Sequence, residues 1–395
     1  MKKAPKIRIK GFEGEWKECL FGSIMDCFSG GTPQANEQTY YGGEIPFIRS
    51  GEINDNNTSL FLSEKGLIYS SAKMIEKGTL LYALYGATSG EVSISRIKGA
   101  INQAVLAIYP YKEYDKYFIK CWLEKNKAYI ISTYLQGGQG NLSGNIVKSF
   151  ILKIPQEIHE QRAIATYFRN IDSLIETSDK KLASLKQVKE ASLQSMFPKE
   201  GQKVPEVRFK GFEGEWKIDE LGNLFTERVE SDVYAEMLSV TLSQGIIKAK
   251  ENGRYDNSNN DKSKYRLVKV GDIAYNSMRM WQGASGYSPY YGIVSPAYTV
   301  VVPNNNVDSC FFAYMFKTAI MIKQFRLHSQ GLTTDTWNLK FPAFSKIVVT
   351  YPADKAEQRK IASFFVHLDK QIAIAQQRLD LLRRIKSACL DEMFV

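Results

Sequence analysis

Between residues 157 and 197 apolar side chains recur with alternating gaps of four and three: Ile164, Phe168, Ile171, Ile175, then Ser178, Leu182 and Leu185. That spacing draws a narrow stripe along a helix, the pattern of a coiled-coil seam rather than of a broad globular face. Arg162, Asp172, Lys180, Lys181, Lys186 and Lys189 border it. A helix of this length would extend about 60 Å at ~1.5 Å per residue, and its seam needs a partner. Residues 354 to 394 supply one, with Ile361, Phe365, Leu368, Ile372, Ala375, Leu379 and Leu382 in the same rhythm. A shift of 197 positions lays Glu160-Gln161-Arg162 on Glu357-Gln358-Arg359, Asp172 on Asp369, and Met196-Phe197 on Met393-Phe394. Matched ends of this kind indicate duplication of a whole half.

The segments between the helices repeat in outline. KGFEGEW occurs identically at residues 10 to 16 and 210 to 216, as a short extended stretch with a Gly-bearing turn. Within residues 18 to 155 we expect short strands, an exposed Tyr-Gly loop ending at Gly90, an aromatic helix over residues 114 to 135, a polar loop from Gln136, and a strand over residues 150 to 154. The second domain offers counterparts: a strand over residues 270 to 275, an aromatic helix over 311 to 328, a loop at Gln330, and a strand over 347 to 351. Almost nothing else matches, as expected if the loops carry individual specificities on a common frame. The expected architecture is α+β: two mixed α/β target-reading domains (residues 1–155 and 199–353) separated by an antiparallel pair of long coiled-coil-like helices (156–198 and 354–395), with a pseudo-two-fold internal repeat.

Composition narrows the class. Lys and Arg number 52 against 42 Asp and Glu, and the formal net charge of +10 favours polyanionic partners. The five cysteines have no zinc-ligand spacing and suit a reducing cytoplasm. Met1-Lys2-Lys3 leads into no apolar signal segment, and no apolar run reaches the ~20 residues that span a bilayer, so no membrane partner is expected.

Catalytic motifs are missing from the text. The Ser29-Gly30-Gly31-Thr32-Pro33 loop lacks the lysine of a phosphate loop. Glu15-Trp16-Lys17 is a fragment of a nuclease motif without its upstream Asp, and the three histidines, His159, His328 and His367, lack metal-ligand spacing. There is no nucleophile elbow, dinucleotide fingerprint or Pro-Pro-aromatic tetrapeptide of an amino-methyltransferase. We therefore expect no catalytic residue, no metal and no cofactor in this chain.

Two variable domains alternating with two EQR…MF helices, each domain introduced by an RFKGFEGEWK-like segment, resemble the specificity subunit of a type I restriction-modification system. The resemblance spans nearly the whole chain. It implies a cytoplasmic bacterial or archaeal protein whose two domains each read one half of an asymmetric, bipartite double-stranded DNA target. The helices would set the gap and dock two methyltransferase subunits. Restriction/translocase subunits would join them, and adenine-N6 methylation with S-adenosylmethionine and cleavage with ATP and Mg would belong to those partners. Lys180, Lys181, Arg383 and Arg384 are candidates for the docking edge.

Loop position and side-chain chemistry suggest which residues meet DNA, since Arg and Gln pair with base edges while Lys and Thr mostly meet phosphates. In the first domain these are Thr32, Arg49, Tyr85, Thr88, Gln136 and Gln139; in the second, Lys262, Lys264, Arg279, Trp281, Gln330 and Thr333. Tyr85 and Trp281 also fit a core role. Two other functional readings remain open at this point: a coiled-coil scaffold without DNA affinity, and the specificity part of a fused methyltransferase-nuclease.

Overall fold

Both seams lie on long helices, Ile158–Ser195 and Lys355–Met393. Along them Ile164, Phe168, Ile171, Leu182, Ile361, Phe365, Leu368 and Leu379 are buried. Ile175, Leu185, Ile372 and Leu382 are half-buried. The computed structural model describes residues 4–135, 141–242, 245–252, 261–334 and 336–395. It divides into two units, Met1–Asp179 with Gln377–Val395, and Lys180–Gln376, so the division falls inside both long helices. Gln136 and Gln139 lie outside the described residues.

Within each unit the start of one long helix runs antiparallel to the end of the other. In the first unit Tyr167 meets Cys389, Asp172 meets Lys386 and Asp179 meets Arg383, so the numbering climbs on one side as it falls on the other. In the second, Lys189 meets Asp369 and Phe197 stacks on Phe365. The repeated Met-Phe pairs close the cores: Met393 and Phe394 pack with Trp16, Phe118 and Phe168 in one unit, and Met196 and Phe197 with Trp216, Phe311 and Phe365 in the other. A backbone bond from Val207 to Ser195 ties the introductory segment of the second unit to the helix end that precedes it. The first unit makes the same join without covalent continuity, Ile7 donating to Glu392 at 3.0 Å.

The repeated heptapeptide is explained by one buried network formed twice. Arg8 donates from Nε and Nη2 to the two oxygens of Glu160 at 2.8 and 2.7 Å, and Trp16 Nε1 donates to the same carboxylate at 3.3 Å. Arg208, Glu357 and Trp216 repeat these contacts at 2.7, 2.8 and 3.3 Å. Each arginine also donates to the carbonyls of the Glu-Gly turn, which needs glycine because Gly14 and Gly214 have φ of 85° and 79°. Glu15-Trp16-Lys17 is thus a structural anchor, with its tryptophan in the core. The next residue of each EQR is a clamp as well. Gln161 accepts from Asp115 N–H and donates to Pro155 O, and Gln358 does the same with Asp308 and Pro352.

Each unit carries one four-stranded antiparallel sheet of common design. In the first the order is Met25–Ser29, Val105–Pro110, Leu80–Ala83, Val92–Ile94; in the second it is Phe225–Glu227, Tyr298–Pro303, Ile273–Asn276, Ser285–Tyr287. A two-stranded ladder closes each unit, Lys17 facing Ile154 in one and Lys217 facing Tyr351 in the other. Beyond this frame each unit adds a second group of strands. In the first it is a mixed four-stranded sheet in which Tyr41–Ile48 pairs parallel with Gly99–Ile101. In the second it is two antiparallel pairs, Leu238–Thr241 with Gly245–Lys248 and Arg266–Val268 with Gly292–Val294, joined by a parallel bridge between Met237 and Ile293, so the strand arrangement is the same although the parallel ladder is shorter.

One expected element is corrected. The first aromatic helix is continuous, Lys116–Tyr134, capped by Asp115. The second is broken into Ser309–Met315 and Ala319–His328. Thr318 starts a new helix by accepting from Met321 N–H, and its own hydroxyl donates back to Met315 O. Hydrophobic periodicity does not register such a break, because Phe311, Phe312, Met315, Met321 and Phe325 remain on the core side throughout.

Candidate nucleic-acid interface

In both units the central strand of the shared sheet runs into a tight turn, and the loop before the last strand is laid beside that turn by the backbone. In the first unit Leu84 O accepts from Leu142 N–H at 2.9 Å, and Tyr85 bridges Asn141. In the second, Ser277 O accepts from Leu339 N–H at 2.8 Å, and Gln330 and Asn338 exchange backbone bonds at 3.0 and 2.8 Å. The same device therefore assembles the same two loops twice.

In the first unit Tyr85 is half-buried against the core, and Thr88 sits at the end of the short 3-10 turn Gly86–Thr88 with its hydroxyl towards Tyr85 O. Thr32 is exposed and donates to Gln103 Oε1 at 2.5 Å. The adjoining Ala104 O receives Leu84 N–H, so Thr32, Tyr85 and Thr88 belong to one end of the shared sheet. Arg49 lies elsewhere, after Tyr41–Ile48 of the added sheet. Its guanidinium is engaged by Glu52 at 2.7 Å and Ser59 at 2.8 Å. Arg49, with further bonds from Ser59 and Thr58, holds the Glu52 carboxyl down at about 2.

In the second unit Arg279, Trp281, Gln330 and Thr333 are brought together. Arg279 is exposed. Trp281 is half-buried, donates from Nε1 to Met278 O at 3.1 Å, and meets Trp337 edge-on with ring centroids 5.4 Å apart. The Arg326 guanidinium lies 5.4 Å from the Trp337 ring centre. Thr333 is exposed in a turn closed by Thr336. Lys262 and Lys264 precede the strand Arg266–Val268, away from these residues in the second group of strands, Lys264 exposed and Lys262 half-buried.

Arg326, Trp337 and Asn141 were not among the residues singled out from the sequence. A signal for the loop pairing was present: Asn141-Leu142 and Asn338-Leu339 stand 197 positions apart, the same shift as the long helices. What these loops offer is an exposed guanidinium, an amide and hydroxyls on segments that also carry a Trp281–Trp337 pair, donors and acceptors suited to base edges and phosphates.

The model of the type I restriction modification DNA specificity domain matches residues 13–187 and again residues 216–384. The chain belongs to that family. Its two matches fall one on each copy of the repeat, so the duplication is of a specificity domain. Among individual relatives, the specificity subunit of the type I restriction enzyme MjaIX of Methanocaldococcus jannaschii is 27% identical over 186 residues, which is 44% of this chain and 42% of that subunit. The chain thus matches less than half the length of that relative. Among solved structures, the type I restriction-modification S subunit of M. genitalium superposes with a TM-score of 0.61 at 16% identity, covering 99% of both chains. A chain from a type I restriction-modification assembly gives 0.51 at 12% identity over 96% of this chain and 97% of that one. At such identities the likeness establishes the fold alone: an α+β chain with a doubled domain. Among the described residues no helix is long and apolar enough to cross a membrane.

Proposed function

We propose that this chain is the DNA-reading subunit of a type I restriction-modification complex, each domain reading one half of an asymmetric split target. The paired helices hold the two readers at a fixed spacing and dock two methyltransferase subunits. Adenine-N6 methylation with S-adenosylmethionine, and cleavage with ATP and Mg, reside in the methyltransferase and restriction/translocase partners. The chain itself is non-catalytic.

This reading rests on a contrast between frame and loops. The buried Arg-Glu-Trp networks and the glutamine clamps are the same in both units, while the loops beside the central turn differ in nearly every side chain. A frame held constant under variable loops suits a reader of two different half-sites. Docking of two copies of one partner has separate support. Arg162 and Arg359, Lys10 and Lys210, and Glu13 and Glu213 are identical and exposed in both halves, outside the buried cores.

Methylome sequencing of a host carrying this gene, the cognate methyltransferase gene, or both tests the proposal. The expected result is a split, asymmetric adenine motif that appears only with both genes. A soluble complex that leaves no such motif would overturn it. Binding of DNA by the complex should also weaken steeply with salt, as phosphate contacts release counterions.

A further inference from the structure

In each unit the aromatic helix is bolted to the long helices by a half-buried polar cluster, and the clusters are built from residues 197 positions apart. In the first unit Asp172 accepts from Tyr117 at 2.5 Å, Lys120 at 3.1 Å and Lys386 at 2.8 Å. Glu124 provides a second carboxylate, 2.6 Å from Lys120 and 2.9 Å from Lys386. Two lysines thus face two carboxylates. In the second unit Asp369 takes Tyr314 at 2.8 Å and Lys189 at 2.5 Å, but Met321 stands where Glu124 stood.

The remaining lysine, Lys317, turns away from the aspartate. It occupies the break between the two short helices and donates to Gly283 O at 2.5 Å and Ser285 O at 2.8 Å. Those carbonyls close the turn that begins with Arg279 and Trp281. Gly283 itself has φ of 83°, and a Cβ there would meet Ile322 at 3.0 Å, so turn and helix are in close contact at this point.

We infer that Lys317 is a positioning residue for the second half-site: its ammonium ties the turn carrying Arg279 and Trp281 to the helix that rests on the paired long helices. The inference rests on the DNA-reading role proposed above. The groups that face Lys317 are Lys189 of the first long helix and Asp369 of the second, with Cys310 and Tyr314 of the short helix before the break sharing the field of Asp369; the turn offers carbonyl oxygens.

Burial, and then the Lys189 ammonium, push Lys317 down to about 8 from the ordinary lysine range. Cys310 is pushed up to about 12 and Tyr314 is raised further, both chiefly by burial, so neither titrates in the same window. The signs are opposed in a useful way. Because the unfolded chain binds the proton more tightly than the folded one, Lys317's contribution to stability improves as pH rises from about 8 towards ~10.4. Over the same interval the charge-assisted bonds to the two carbonyls weaken. A merely structural lysine would give reading that follows stability upward; a positioning lysine gives reading that falls.

The test is selection of duplexes from a randomised DNA library by the full-length chain in complex with its methyltransferase. Wild type, Lys317→Met and Lys317→Arg are compared at pH 7 and pH 9. Wild type at pH 7 should return a two-part motif. Lys317→Met should relax base preference in one half by about tenfold, as expected for the loss of hydrogen bonds from a charged donor, and leave the other half intact. Raising wild type to pH 9 should relax the same half several-fold, an effect that Lys317→Arg, charged throughout, should not show. This wild-type arm needs no variant to fold. A motif that Lys317→Met leaves as sharp in both halves as wild type, or blurs equally in both, overturns the positioning role while the reading role stands. No motif from wild type overturns both.

Discussion

The two units solve one packing problem identically and one positioning problem differently. Where the introductory segment meets a long helix, Arg8-Glu160-Trp16 and Arg208-Glu357-Trp216 agree within 0.1 Å in each of the three bonds to the carboxylate. Where the aromatic helix meets the reading turn they diverge. The first unit pins the turn from outside, through an ion pair between Lys127 and Glu91, the residue after Gly90. The second pins it from inside, through Lys317 to backbone carbonyls. A buried carboxylate tolerates little variation, because each lost partner strands a charge. A surface pair can be exchanged freely. The difference places the boundary between frame and adaptable reader in the turn that follows the central strand.

The largest expected effect breaks the shared part. Glu160→Ala and Glu357→Ala each remove the acceptor of a nearly buried arginine and a buried tryptophan N–H. Each should cost about 3–5 kcal/mol, the usual penalty for removing one member of a buried pair. Urea unfolding of the two variants should give matching losses. A loss confined to one of them would show that the networks are equal in geometry only.

A smaller effect converts one unit towards the other. Glu124→Met gives the first unit the composition of the second, leaving Asp172 alone against Lys120 and Lys386. In the native cluster, burial works against the Lys386 ammonium, but Glu124 and Asp172 outweigh it and raise its pKa. That raised value contributes stability at neutral pH which is lost as pH climbs through it. The variant should lose about 1–3 kcal/mol near neutral pH and show a flatter decline in alkali. Unfolding midpoints followed from neutral pH to above the ordinary lysine range of ~10.4, where the decline sets in, would reveal whether the second carboxylate has this role.

Much of the frame could be read from the chain. The seam spacing gave both long helices, and the 197-residue shift gave the duplication, because a helix exposing one stripe records its partner in its own period. The break at Lys317-Thr318 left no trace, since no proline or glycine marks it and the apolar face continues across it. The added sheet of the first unit was equally silent. Its strands Phe61–Leu62, Lys73–Ile75 and Gly99–Ile101 are two or three residues long and pair across distant sequence, too short for alternation to register. At the candidate interface loop residues were chosen by position, whereas Arg326 and Trp337 were not singled out: one lies in a helix taken as core, and the other is recruited only when its loop folds back onto Trp281.

The smallest effect sharpens the positioning contrast. Lys127 and Glu91 are about one-third and two-fifths exposed, so their attraction is screened by water and salt. Exposed pairs of this kind contribute about 0.2–1 kcal/mol. Lys127→Met should therefore relax base preference in the first half of the motif by about fivefold at most, and the relaxation should vanish as salt is raised towards 0.5 M. Lys317 is half-buried and bonded to two carbonyls, so Lys317→Met should blur the second half with a weaker dependence on salt. Library selection at two salt concentrations distinguishes the cases. If both variants respond to salt alike, the Lys317 site is open to solvent and the inside-outside distinction between the two turns fails.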